Sequence, residues 1–215
     1  MAINFASRSR ITALLNGNLL VGTLDAAAGA SRPDEVSGSS VTIESSKNLY
    51  RSDSELPTVG WFLFAGTDAP VPGLVPGATR ANQLRVGSTH DRVEGFEFGI
   101  FARAGNRNNP LSGTASGNYL DISATNLKLE TTDSDFLLYG EFSNVSGMPA
   151  GDGNTLQIVL RGATGSGARE NQYAHRSTQL GTGNKLVLPG SSNAFLRTNR
   201  DINSAPPAQF FTSGR

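Results

Sequence analysis

The one stretch that sets a hydroxyl, an imidazole and a carboxylate side by side is Ser88-Thr89-His90-Asp91. Nucleophilic catalysis needs those groups convergent in space beside a donor for the developing oxyanion, and neighbours along a strand or turn point apart. No Gly-x-Ser-x-Gly elbow accompanies them. His90, one of two histidines with His175, therefore reads as a polar loop residue. Gly162–Gly167, Gly-Ala-Thr-Gly-Ser-Gly, has the glycine density of a phosphate loop. It lacks the Lys-Ser/Thr that follows in such loops and a helix N-terminus to face the anion, so a surface loop is expected.

Thr131–Asp135 and Asp152-Gly153-Asn154 offer oxygen ligands to calcium, but neither has the spacing of a calcium loop. No carboxylate pair is singled out for glycoside cleavage. Arg161, Arg169, Arg176, Arg197 and Arg200 could meet phosphates, yet they are spread thinly over a chain whose 18 basic and 18 acidic residues cancel. Cysteine is absent, which removes disulfides, thiolate metal sites and cysteine nucleophiles together. The expectation is a protein that is not an enzyme, with no cofactor, no resident metal and no specific nucleic acid or membrane partner.

The elements that would carry such residues are β-strands. Val93–Arg103 places Phe96, Phe98, Ile100 and Ala102 on one side of a two-residue period and Glu97, Gly99 and Arg103 on the other, with Phe101 the apolar exception. That is the pattern of a strand with one face in a core; a helix would hold Gly95 and Gly99 inside it and scatter the phenylalanines. If the second face is covered as well, Phe101 is buried. Val59–Ala65 is apolar without interruption, as in a strand covered on both faces, and its Trp61 reads as a core residue. Phe136–Phe142 and Thr155–Arg161 complete the expected core, with shorter strands at Leu19–Leu24, Val41–Glu44, Tyr119–Ile122, Leu127–Leu129, Lys185–Leu188 and Phe195–Arg197. Arg10–Leu15 reads as a short helix or an extended arm.

Between them lie loops at Ala26–Ser40, Thr67–Thr79, Gly105–Gly117, Ser143–Asn154 and Gly162–Gly183, rich in Gly, Pro and Asn. Gly38–Ile43 followed by Gly60-Trp61-Phe62 loosely echoes Gly117–Ile122 followed by Gly140-Glu141-Phe142, an echo that two sheets of similar make-up would also produce. About ten short strands without an amphipathic helix predict an all-β fold, an antiparallel β-sandwich or jelly-roll. The predicted organisation is an N-terminal arm or short helix over 1–18, a single sandwich domain over 19–200, and a C-terminal tail over 201–215.

Charge is segregated. Residues 25–68 hold three basic and seven acidic residues, residues 121–152 one and six, and residues 161–215 seven and two. Arg outnumbers Lys 15 to 3, a bias typical of protein–protein interfaces. Such patches meet either within one fold or head to tail between copies. Phe210 and Phe211 near the terminus must pack on their own domain or on a neighbour, because leaving each exposed is unfavourable by roughly 1.5–3 kcal/mol.

These features point to a structural self-assembling protein, a homo-oligomer expected as a virion component such as a capsid decoration or tail-tube subunit. Its assembly interface would use Phe210, Phe211, Arg197, Arg200, Val71, Leu74, Val75 and Phe101. The alternative is an extracellular carbohydrate-binding or adhesin module with Trp61 or tyrosines as glycan platforms. The N-terminus does not read as a signal peptide, and no run approaches the ~20 apolar residues of a membrane span.

Overall fold

The structure, a computed structural model, describes residues 2–3, 8–30, 36–53, 58–67, 78–106, 115–139, 153–165, 172–174, 185–187, 200–201 and 210–211. Its strands, numbered in chain order, build four sheets. The first holds β1 (Ala2–Ile3), β4 (Leu24–Ala30), β8 (Val59–Thr67), β12 (Phe98–Asn106), β16 (Ser134–Tyr139), β19 (Gln172–Ala174) and β21 (Arg200–Asp201). The second holds β2 (Arg10–Asn16), β6 (Ser40–Ser46), β10 (Gln83–Thr89), β14 (Tyr119–Thr125), β17 (Thr155–Arg161), β20 (Lys185–Val187) and β22 (Phe210–Phe211). A third, narrower sheet contains β3 (Leu19–Val21), β7 (Leu49–Arg51), β11 (Arg92–Glu94), β15 (Lys128–Glu130) and β18 (Thr164–Gly165). The fourth is β5 (Val36–Ser37), β9 (Thr79–Arg80) and β13 (Ala115–Ser116).

Every strand pairs in parallel with its counterpart one circuit later. The chain therefore winds as a parallel β-solenoid, and from β4 to β15 each coil visits the first, fourth, second and third sheets in turn. Successive rungs of the second sheet from β2 to β17 are offset by 30, 43, 36 and 36 residues. This overturns the antiparallel sandwich or jelly-roll. Alternation reports that a strand has an inner and an outer face; it does not report which strand lies beside it or in which direction. The described residues contain no helix, and Arg10–Leu15 lies in β2 rather than in a helix.

The first and second sheets face each other across the core. The second contributes rows such as Val41, Leu84, Leu120, Leu156 and Ile43, Val86, Ile122, Ile158, all essentially inaccessible. The first answers with Leu24, Trp61, Ile100 and the smaller Ala26, Leu63, Ala102. Each large aliphatic so buried contributes about 1.5–3 kcal/mol of transfer free energy. Trp61 is a core residue, its ring edge-on to Tyr50 at 5.4 Å.

Val93–Arg103 is two strands, not one: the chain turns at Gly95, whose φ is +76°, between β11 and β12. The expectation for its second face holds, since Phe101 is 8 % exposed although it points away from the core. There it stacks on Phe62 at 4.8 Å, with the Arg103 guanidinium 5.1 Å from its ring. Phe64, on the same outer face, is equally buried, so Val59–Ala65 is covered on both sides as its unbroken apolarity predicts. At the far end of these strands Gly29, Gly66 and Gly105 stack in register. A Cβ on Gly66 would run into the Gly105 carbonyl oxygen, and its φ of +140° also excludes most side chains.

Candidate interaction surfaces

Among the described residues two corners recur from coil to coil, and they absorb most of the residues that looked chemical. Each is a dipeptide whose first residue has φ near +60° and whose second turns its side chain inward, in most rungs a short polar one. At the corner between the fourth and second sheets the pairs are Gly38-Ser39, Ala81-Asn82, Gly117-Asn118 and Gly153-Asn154. The backbone N–H of each rung donates to the Oδ1 of the next: Ser39 to Asn82 at 3.0 Å, Asn82 to Asn118 at 3.2 Å, Asn118 to Asn154 at 3.0 Å. The amide groups continue the ladder, Asn82 Nδ2 donating to Val36 O and Asn154 Nδ2 to Ala115 O, both at 2.9 Å.

The corner between the second and third sheets carries Asn18, Asn48, Asp91 and then Leu127. Asn48 donates its N–H to Asp91 Oδ1 at 2.7 Å and its Nδ2 to Ser45 Oγ at 2.9 Å. Ser45 in turn meets Tyr50 Oη at 2.7 Å, and burial pushes the Tyr50 phenol up to about 12 against a small opposing effect of that bond. Ser88 Oγ donates to Asp91 Oδ2 at 2.7 Å, so two members of Ser88-Thr89-His90-Asp91 do touch. Both are buried in the corner, and His90 points the other way, 3.0 Å from Asn126 Nδ2 on the exposed side. The three groups form a structural corner and do not converge on a substrate position.

Among the described residues no group of three or more His, Cys, Asp or Glu could hold a metal ion, and no helix is long and apolar enough to cross a membrane. Asn154, from the calcium-like Asp152-Gly153-Asn154, is a ladder rung. Of the expected interface residues, Phe101 is buried on the outer face of the first sheet, Arg200 lies in β21, and Phe210 and Phe211 form β22. Val71, Leu74, Val75 and Arg197 lie outside the described residues, as do Arg169, Arg176 and His175.

Three outer surfaces remain. The outer face of the third sheet carries an ion-pair ladder. Arg92 bridges Glu94 at 2.8 Å and, through Nε, Glu130 at 2.7 Å, while Lys128 meets Glu130 at 2.6 Å and Arg51 pairs with Glu94. Hydrogen bonds from Lys128 and Arg92 hold the Glu130 carboxyl below its usual range. The second sheet presents a polar face on which Tyr119 and Asp121 stand beside Gln83, Arg85 and Gln157 in register. Gln157 Nε2 donates to Asp121 at 3.3 Å, and partial burial raises the Asp121 carboxyl against that bond.

The third surface, which the sequence reading missed, is the amino-terminal coil. β2 and β3 are edge strands of their sheets. Ile11, Ala13, Leu15 and Leu20 occupy inward rows but stay half-buried, whereas the next rungs Val41, Ile43, Ser45 and Tyr50 are buried. Leu14, Leu19 and Val21 face outward at 75 %, 59 % and 58 % exposure. Leu19 and Val21 begin the rows that continue as Leu49, Arg92, Lys128 and as Arg51, Glu94, Glu130, so apolar residues stand where the later coils carry charge. The signal was present as Leu14-Leu15 and Leu19-Leu20-Val21, but only the knowledge that β2 and β3 are edge strands makes it legible. Compared with known proteins, the chain matches no family model, no curated protein and no solved structure.

Proposed function

We propose that this β-solenoid is a structural protein that acts by self-association and by contact with other proteins, with a virion as its setting. The observation that carries this reading is the amino-terminal coil, where half-buried core rows, three exposed apolar side chains and two strand edges coincide. Exposed apolar surface beside open strand edges is a template for pairing, which monomeric proteins usually blunt with charge, proline or a covering segment. Segregated charge and the excess of Arg over Lys support contact with protein surfaces. Light scattering over a concentration series, followed by electron microscopy, tests it. Concentration-dependent assembly is expected; a strict monomer at high concentration that binds no structural partner refutes it.

A second reading, glycan binding, is favoured by Tyr119 on the polar face of the second sheet, ringed by Gln83, Arg85, Asp121 and Gln157. Trp61 and Tyr50, buried in the core, cannot serve as stacking platforms. This reading expects a glycan screen to give hits that Tyr119→Ala abolishes without unfolding the protein; a screen without hits rejects it.

A further inference from the structure

Resting on the self-association reading, we infer that copies of this chain stack head to tail, with the β2 edge of one copy pairing in parallel with the β22 edge of the next. Among the described residues the first and second sheets each have two complementary outer edges. The first sheet terminates in β1 and β21, and the second in β2 and β22, all running in the same direction. A lone strand can satisfy one edge, but only another coil of the same cross-section meets the first and second sheets at once. A second copy supplies that coil by translation along the axis, and the contact is heterologous, so it propagates rather than closes.

Register fixes the match. β2 bonds to β6 through alternate residues: Ser40 N–H donates to Ser9 O, and Gly17 N–H to Ser46 O. Ile11, Ala13 and Leu15 therefore turn their backbone groups inward along the sheet, and Arg10, Thr12, Leu14 and Asn16 turn theirs to the open edge. At the other end, the row of Ile11, Val41, Leu84, Leu120, Leu156 and Leu186 finishes at Phe210. Stacking in register sets Ile11 beside Phe210 of the adjoining copy and aims Thr12 N–H at the Phe210 carbonyl. In the same register Phe211 falls opposite Thr12.

The experiment uses the full chain, which has no native cysteine to interfere. Neighbouring rungs of a parallel sheet are about 4.8 Å apart, within the Cα separation a disulfide accepts. The double variant Thr12→Cys/Phe211→Cys, oxidised at assembling concentration, is expected to give a ladder of covalent multimers, and Thr12→Cys alone none. In sedimentation, Leu14→Lys and Thr12→Pro are each expected to weaken association by about tenfold or more while leaving the far-ultraviolet circular dichroism unchanged, since an edge strand tolerates both. Covalent dimers from Thr12→Cys alone would show that amino-terminal ends meet head to head; that overturns the stacking and leaves the self-association reading standing. Assembly of the wild type that ignores Leu14→Lys and gives no cross-link also overturns it. A wild type that never associates removes both.

Discussion

Removing one rung of the asparagine ladder should be among the most damaging single changes in this chain. Asn118 is fully buried; its Oδ1 accepts from Asn82 N–H at 3.2 Å and Asn82 Nδ2 at 3.1 Å, and its own Nδ2 donates to Asn154 Oδ1 at 3.0 Å and Thr79 Oγ1 at 3.3 Å. Asn118→Ala strands the Asn82 N–H in a place water does not reach, at about 1–1.5 kcal/mol, removes one of the two bonds of Asn82 Nδ2, which keeps Val36 O, at about 0.5–1 kcal/mol, and forfeits roughly another 1 kcal/mol in its own donations. Asn118 N–H still reaches Asn154, so the rung below keeps a partner. The expected loss is about 3 kcal/mol, or roughly 6–12 °C in Tm for a chain of this size. Urea unfolding followed by circular dichroism, with a thermal scan alongside, measures it. A loss below about 1 kcal/mol would refute the claim that the ladder bonds, rather than the apolar rows, hold this corner.

Asp91 offers a contrast at the other corner: Asp91→Asn keeps the oxygen that accepts from Asn48 and should change stability by less than about 1 kcal/mol, whereas Asp91→Ala strands Asn48 N–H and Ser88 Oγ and should cost about 2–4 kcal/mol in urea titrations. Gly66→Ala forces a Cβ into the neighbouring carbonyl at positive φ, and should lower stability by about 3 kcal/mol or more or abolish soluble expression. Burial raises the Tyr50 phenol from 10.0 to about 12, so its neutral form favours the folded state below pH 10 and that contribution is lost as pH rises from 10 to about 12. Stability should fall there by up to about 1.4 kcal/mol per pH unit from this group, and Tyr50→Phe should flatten the decline in pH-dependent unfolding curves. Because the pairs on the third sheet are exposed, Arg92→Ala should leave Tm essentially unchanged at physiological salt.

The residues themselves determined that this chain is made of strands, and largely where. Thr155–Arg161 alternates so cleanly that its limits match β17, and the burial of Phe101 followed from the apolar residues on both faces of its strand. The echo between Gly38–Ile43 and Gly117–Ile122 also had a cause: the two segments lie two coils apart in the same rows, with Val41 and Ile43 matching Leu120 and Ile122. Its companion rests on residues 140–142, which lie outside the described residues; in register Trp61 stands beside Ile100, and Ile100 beside Phe136. Direction of pairing was left to the tertiary structure, because a two-residue period is the same in parallel and antiparallel sheets. Unequal coils of 30, 43 and 36 residues blurred the repeat that would have distinguished them. For the same reason Asn82 and Asn118 drew no reading of their own, Asn154 stood out only as an oxygen ligand and Asp91 only as a neighbour of Ser88 and His90. A ladder exists only between coils, where a side chain's partner lies a full circuit away, and so does an outer edge, which is what turns Leu14, Leu19 and Val21 from ordinary strand residues into a surface.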